Sequence, residues 1–148
     1  MTVIREILVR KGTHVYTVAP DATLQDVVDE LVQHNIGAVL VCHRDPAAGE
    51  EKLLGIVSER DVLRRCALSE RPLRDWRAEE VMSRNLVTAG PDDSVGDVLK
   101  AMTLNRIRHL PVLQEGKLVG IVSIGDLVKS QLDELAVENR FMKDYIQG

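Results

Sequence analysis

Two short segments hold the residues best suited to chemistry: Gly55-Ile56-Val57-Ser58-Glu59-Arg60-Asp61 and Gly120-Ile121-Val122-Ser123-Ile124-Gly125-Asp126. In each, an apolar run of strand length gives way to a helical pattern at the serine. The N–H groups of a helix start lack intrahelical acceptors and sit at the positive end of the dipole. A phosphate is at home there. The serine hydroxyl can donate to a phosphate oxygen. The aspartate, one turn into the helix, can accept from both cis hydroxyls of a ribose. The strand glycine leaves room for a flat base. The set describes a nucleoside phosphate site with no catalytic group. The same S-x-x-D spacing is equally a helix cap, and the chain repeats the device at Thr23/Asp26 and Ser94/Asp97. On the motif alone both readings stand.

The elements that must position these residues occur twice. At a shift of 71, Thr17, Pro20, Asp21, Asp26, Val27, Ile36 and Val41 fall on Thr88, Pro91, Asp92, Asp97, Val98, Ile107 and Val112. At a shift of 65, Lys52, Leu53, Gly55, Ile56, Val57, Ser58 and Asp61 fall on identical residues from Lys117 to Asp126. The six-residue change of shift is absorbed by residues 43–51, polar and holding Pro46 and Gly49, as a surface loop should be. Each repeat reads as strand, helix, strand, strand, helix. Leu24, Val27, Val28, Leu31 and Val32 have helical spacing, as do Val95, Val98, Leu99 and Met102. Residues 38–42, 53–57, 110–113 and 118–122 are continuous apolar runs expected as buried strands. Each unit is roughly 50–60 residues, near the lower limit for folding alone, so the two are expected to share a core. The predicted boundaries are repeat 1 over 1–68 with an N-terminal helix, a connector over 69–80, repeat 2 over 81–130 and a helical extension over 131–148. Trp76, in the connector, is expected as a hydrophobic clasp between the halves.

Composition narrows the function. The 148 residues are 45% apolar and 28% charged, which reads as soluble and globular. A net charge of −4 and 3% aromatics argue against nucleic acid. No apolar run approaches the ~20 residues of a membrane span, and the N-terminal residues lack the pattern of a signal peptide. Cys42 and Cys66 show no C-x-x-C spacing, so neither a disulfide framework nor a zinc site is expected. Burial is the expected state of both. His14, His34 and His43 are far apart in sequence and lack metal-ligand spacing. A cytoplasmic location follows as the default.

The whole pattern resembles a pair of CBS domains, the cystathionine β-synthase repeat. The resemblance runs from Met1 to about Leu132. It rests on residues 17–24 (TVAPDATL), 36–41 (IGAVLV), 54–61 (LGIVSERD), 81–83 (VMS), 108–112 (RHLPV) and 119–126 (VGIVSIGD), on their order, and on their repetition. It implies an α/β (α+β) fold of tandem β-α-β-β-α repeats packed by their sheets as a pseudo-twofold pair, with a C-terminal helix added. It also implies two clefts between the repeats that bind adenine nucleotides, and modules paired into discs. Carried over by position, Ser58 and Asp61 serve one cleft and Ser123 and Asp126 the other, the aspartates holding ribose hydroxyls. Thr17, Val18, Thr88 and Ala89, with Ala38, Val39, His109 and Leu110, would line the adenine, largely through backbone groups. Family positions just before Leu110-Pro111 often supply cations to phosphates. Here they are Arg108 and His109; in the first repeat they are the uncharged Gly37 and Ala38.

The two clefts should therefore differ. Ile124-Gly125 also replaces Glu59-Arg60, removing charge beside the second aspartate. Arg60 and Arg64 are read as either phosphate contacts or solvated side chains. An intact aspartate at the ribose would repel a 2′-phosphate, so AMP, ADP, ATP or NAD(H), with or without Mg²⁺, is expected over NADP. No prosthetic group and no protein metal site are expected.

The C-terminal residues Val128, Leu132, Leu135, Asn139, Met142 and Ile146 are spaced 4, 3, 4, 3, 4, a heptad seam. It is expected to pair with another chain rather than fold back. The function expected is an adenine-nucleotide-binding regulator or sensor, not an enzyme, acting as a homodimer through its CBS helices and C-terminal helix or through an unknown protein partner. The alternatives are a purely structural dimerisation module and a nucleotide hydrolase. The hydrolase would need a base, a nucleophile or a metal cluster that the sequence does not gather.

Overall fold

The helices that follow Thr23, Ser58 and Ser94 start at the predicted caps, whereas the strands Ala38–Arg44 and Glu51–Ser58 take His43, Arg44 and Glu51 from the loop expected over 43–51. A computed structural model describes residues 1–47, 49 and 51–147. Along the chain run α1 (Ile4–Lys11), β1 (Thr17–Val18), α2 (Leu24–His34), β2 (Ala38–Arg44), β3 (Glu51–Ser58), α3 (Glu59–Leu68), a 3₁₀ turn (Leu73–Asp75), α4 (Ala78–Val81), α5 (Val95–Asn105), β4 (His109–Gln114), β5 (Lys117–Ser123) and α6 (Ile124–Gln147). The chain divides into two compact units, His14–Leu86 and Met1–Thr13 with Val87–Gly148. These are the first and second halves of the molecule, in that order. Of the loop expected over 43–51, Ala48 and Glu50 lie outside the described residues, as does Gly148 of the extension.

The repeat seen in sequence is a repeat of geometry within each half. Helices α2 and α5 each open on a capping hydroxyl: Asp26 N–H donates to Thr23 Oγ1 at 3.0 Å, and Asp97 N–H to Ser94 Oγ at 3.1 Å. Each ends on a left-handed residue, Asn35 with φ 51° and Arg106 with φ 54°, so the chain turns sharply into its next strand. Asparagine tolerates that conformation and arginine does so at some cost. Strands β2 and β3 pair antiparallel with an irregularity between Val41 and Cys42. Strands β4 and β5 pair the same way with theirs between Val112 and Leu113, the positions equivalent at the shift of 71.

Each half has its own core. Leu24, Val27, Leu31, Val39, Val41 and Val57 anchor the first; Val95, Val98, Met102, Leu110, Val112 and Val122 anchor the second. A fully buried Val or Leu contributes about 1.5–3 kcal/mol each. These clusters hold the strand ends that carry Ser58 and Ser123.

Three features differ from the sequence reading. Helix α1, expected with repeat 1, packs on the second half, where Ile4, Ile7 and Leu8 join its core. Its amphipathic face finds α6 and β5 rather than its sequence neighbours. The first strand of the second repeat shrinks to one parallel bridge, Ala89 to Val112. There Ala89 N–H donates to Pro111 O at 3.1 Å and Leu113 N–H to Ala89 O at 2.9 Å. Gly90 and Pro91 follow at once and leave no room to propagate a ladder. The connector is structured. Trp76 packs into the first half's own core cluster, with the guanidiniums of Arg71 and Arg65 at 4.1 Å and 4.9 Å from its ring centroid. Its carbonyl accepts from Leu24 N–H at 2.9 Å.

Candidate functional site

The sheet register brings Ala38 and Ser58 together at one strand end and sets Thr17 and Val18 two to three residues farther along β2. Ala38 lies opposite Ser58 across β2 and β3, and Glu59 N–H donates to Gly37 O at 2.9 Å. Thr17 and Val18 pair with Leu40 and Val41 on the other side of β2. The second half repeats this: His109 lies opposite Ser123, and Ile124 N–H donates to Arg108 O at 2.8 Å. Ser58, Asp61, Ser123, Asp126, Thr17, Val18 and His109 are partly exposed, and Thr88 and Arg108 are exposed. Ala38, Val39, Ala89, Leu110 and Pro111 are buried. The side chains of Val39, Ala89 and Leu110 are core members, so only their backbone could meet a ligand.

At the first helix start, Asp61 closes on Ser58. Its Oδ2 accepts from Ser58 N–H at 2.8 Å and from Ser58 Oγ at 3.0 Å. Asp61 N–H in turn contacts Ser58 Oγ at 3.3 Å. The hydroxyl proton expected for a phosphate is thus directed at the aspartate; the cap at α2 shares the two backbone bonds of this box but not that one, and at α5 only Asp97 N–H to Ser94 Oγ is made among the described residues. Asp61 Oδ1 accepts no hydrogen bond among the described residues, and no cation pairs with Asp61 there. One carboxylate oxygen stays open.

At the second helix start the same box carries an addition. Ser123 N–H donates to Asp126 Oδ2 at 2.8 Å, and Asp126 N–H to Ser123 Oγ at 3.1 Å. Lys11, in the last turn of α1, reaches the same oxygen at 2.5 Å. Burial raises the Asp126 pKa, but the hydrogen bond and charge of Lys11 and the bonds from Ser123 outweigh it. The carboxyl lies below the ordinary aspartate range. Nothing in the spacing of the repeats signals this contact, because Lys11 stands 115 residues from Asp126.

The glycines have a different use from the one read in sequence. A Cβ on Gly55 would lie 2.6 Å from Met82 Sδ and 2.8 Å from Ser83 O. A Cβ on Gly120 would lie 2.7 Å from Leu8 Cδ2. The space beside these strands is filled by the chain itself. In the first half the close approach is the bridge in which Ile56 and Ser83 exchange N–H···O bonds of 3.1 and 2.9 Å. In the second it is the seating of α1.

Other candidates sort plainly. Cys42 is buried, and burial together with the nearby Glu51 carboxylate pushes its thiol up to about 11. It is no nucleophile at neutral pH. Cys66, expected buried, is exposed. Sequence distance hid one cluster: Tyr16 stacks on His34 at 3.8 Å and meets His14 edge-on at 4.5 Å, with Glu30 pairing His34 at 3.1 Å. Among the described residues no three His, Cys, Asp or Glu side chains could hold a metal ion. No helix there is long and apolar enough to cross a membrane.

Known proteins share this architecture. The CBS domain profile matches residues 4–68 and 78–133. The CBS domain-containing protein CBSX3, mitochondrial, of Arabidopsis thaliana is 37% identical over 131 residues, 86% of this chain and 62% of that protein. This chain therefore spans less than two thirds of that relative. The crystal structure of the CBS-domain containing protein ATU1752 from Agrobacterium tumefaciens superimposes with a TM-score of 0.79 at 35% identity, covering 88% of this chain and 99% of that one. The CBS domain pair of protein MJ0100, solved in complex with 5′-methylthioadenosine and S-adenosyl-L-methionine, gives a TM-score of 0.75 at 25% identity, over 90% and 98% of the two chains. The duplicated strand–helix–strand–strand–helix unit is the CBS repeat, and the chain belongs to the CBS domain family.

Proposed function

We propose that this chain is a regulatory module that binds an adenine nucleotide of the AMP, ADP, ATP or NAD(H) type, and performs no catalysis itself. The observation that carries the reading is the helix start of α3. Ser58 ends β3 opposite Ala38, and Asp61 stands in the first turn of α3 with Oδ1 left open among the described residues. Asp61 accepts the ribose hydroxyls. Backbone groups of residues 17–18 and 38–39 read the base. The Ser58 hydroxyl leaves Asp61 for a phosphate oxygen when ligand arrives, and the N–H groups of the first turn of α3 complete the anion site. Asp126, Ser123, Thr88, Ala89, Leu110 and Pro111 are the equivalents on the second half. Arg108 is exposed and has no ion pair among the described residues, so its guanidinium is available to phosphate. His109 stands beside it. The adenosine compounds held by the MJ0100 pair support an adenosine-type ligand here.

The regulation works by differential binding. Ligand favours one state of the module, and a second copy of the chain or a partner protein reads that state. A thermal shift series with AMP, ATP and NADH tests the reading. Ligand at 100-fold over Kd should stabilise by ~2.7 kcal/mol, a rise of a few degrees. No shift with any of the three would contradict it. NADP should bind weakly through repulsion between Asp61 and the 2′-phosphate; equal affinity for NAD and NADP in calorimetry would remove Asp61 from the ribose.

One observation favours a second reading. Both S-x-x-D pairs satisfy themselves as caps, as Thr23 and Asp26 do. A purely structural module would look the same at these positions, and it would show no thermal shift. A metal-dependent nucleotide hydrolase is opposed by the lack of a metal-holding group among the described residues, and release of phosphate from ATP with Mg²⁺ would reinstate it.

A further inference from the structure

Helix α6 outlasts the half it grows from. Its first turns are held by the second half: Leu127 and Ser130 are buried, Thr2 Oγ1 donates to Glu134 at 3.3 Å and Arg10 pairs with Asp133 at 3.4 Å. From Leu135 to Gln147 every residue is exposed. So short a stretch of exposed helix is marginal in water by itself, and it exposes Met142 at 62% and Ile146 at 77%. The seam Val128, Leu132, Leu135, Asn139, Met142, Ile146 lies on another face of α6 from the buried Leu127 and Ser130, and its apolar members are all exposed. The helix has therefore not folded back on that seam.

We infer that the seam closes on a second copy of this chain, as a parallel two-stranded coil in register. In heptad terms Leu132, Asn139 and Ile146 take position a, and Val128, Leu135 and Met142 take d. Glu138 then falls at g and Lys143 at e of the next heptad. Those positions flank the seam and meet across a parallel pair. Glu138 of one copy faces the partner's Lys143, and symmetry makes the contact twice. Asn139 faces the partner's Asn139, an amide pair that satisfies itself only when the copies are in register. The antiparallel alignment that keeps the whole seam is opposed on the same grounds. It sets Lys129 beside the partner's Lys143 and Glu138 beside the partner's Glu138, like charges in both places. It also buries Asn139 against the partner's Leu135. The charge pattern thus chooses both occupant and direction. A second stripe, Val137, Phe141 and Tyr145, lies off the seam, and it brings no equivalent charge pairing.

The test uses the full chain with Cys66, which is exposed, changed to Ser. In a parallel coil Ile146→Cys stands against itself, and mild oxidation should give a disulfide-linked dimer. In sedimentation equilibrium, Glu138→Lys and Lys143→Glu should each weaken pairing by about three- to tenfold, and the double exchange should restore it. Leu135→Asp with Met142→Asp should abolish it, while Phe141→Asp should leave it in place. The inference is overturned if the Ile146→Cys chain stays uncrosslinked or links only when mixed with a Val128→Cys chain. It is equally overturned if the double exchange fails to rescue, or if the Phe141 variant rather than the seam variant loses pairing. Circular dichroism of each variant shows whether its two halves remain folded. None of these outcomes depends on nucleotide binding.

Discussion

The helix starts of α3 and α6 share a sequence device and differ in state. At α3, Asp61 caps its own helix and pairs with no cation among the described residues. At α6, Asp126 caps its helix and is also held by Lys11. The Lys11 contact has no counterpart in the duplicated stretches, which themselves differ at Glu59-Arg60 against Ile124-Gly125. The contact comes from α1, which precedes the duplicated part of the chain and seats on the second half alone, with Leu8 filling the space beside Gly120. A duplicated site can thus diverge through what packs on it while its own motif stays intact. In the proposed nucleotide reading, ligand at the second site shares or displaces Lys11, whereas at the first it meets no ion pair on Asp61 among the described residues.

Several variants would break or sharpen this contrast. The largest effect is expected from Asp61→Asn with Asp126→Asn: losing charged hydrogen bonds to ribose at both sites costs about 1.5–3 kcal/mol per site, roughly a tenfold to hundredfold loss of AMP affinity in calorimetry. Gly55→Ala should destabilise by about 2–3 kcal/mol in urea unfolding and Gly120→Ala by about 1 kcal/mol. The new methyl at Gly55 meets backbone, the Ser83 carbonyl at 2.8 Å, whereas at Gly120 it meets the end of a leucine that can rotate away. Equal costs would mean that α1 is held as firmly as the Ile56–Ser83 bridge. Lys11→Ala should cost about 1 kcal/mol of stability, the scale of a partly exposed pair. It should also strengthen AMP binding at the second site several-fold while leaving the first unchanged.

The smallest effect is in pH. The Asp126 carboxyl is depressed in the folded state, so its contribution is fully present above the usual aspartate pKa near ~4 and is lost as pH falls through the lower folded value. Wild type should lose its stability advantage over Asp126→Asn across that acid range and hold it constant at neutral pH. An advantage that grew on acidification would contradict the sign of the contact.

Much of this was legible from the sequence because it is local. The hydroxyl caps, the apolar runs and the shift of 71 placed α2 and α5 at equivalent residues, and the polar loop before Glu51 marked the gap. What stayed hidden is long-range. Lys11 meets Asp126 across 115 residues, and Tyr16 gathers His14 and His34 only once α2 is seated. The strand glycines suggested space for a base, but a missing Cβ is equally a slot for another part of the chain, and Met82, Ser83 and Leu8 took it. A capping box and a ribose site call for the same residues at the same spacing, and the hydrogen bonds at Ser58 show the box closed.

The most direct test is a calorimetric titration of AMP into wild type and into the Asp61→Asn variant, both shown folded by thermal melting. The account expects two unequal sites in wild type, with the tighter one lost in the variant and the weaker one retained. Identical isotherms for the two proteins would show that Asp61 is only a helix cap.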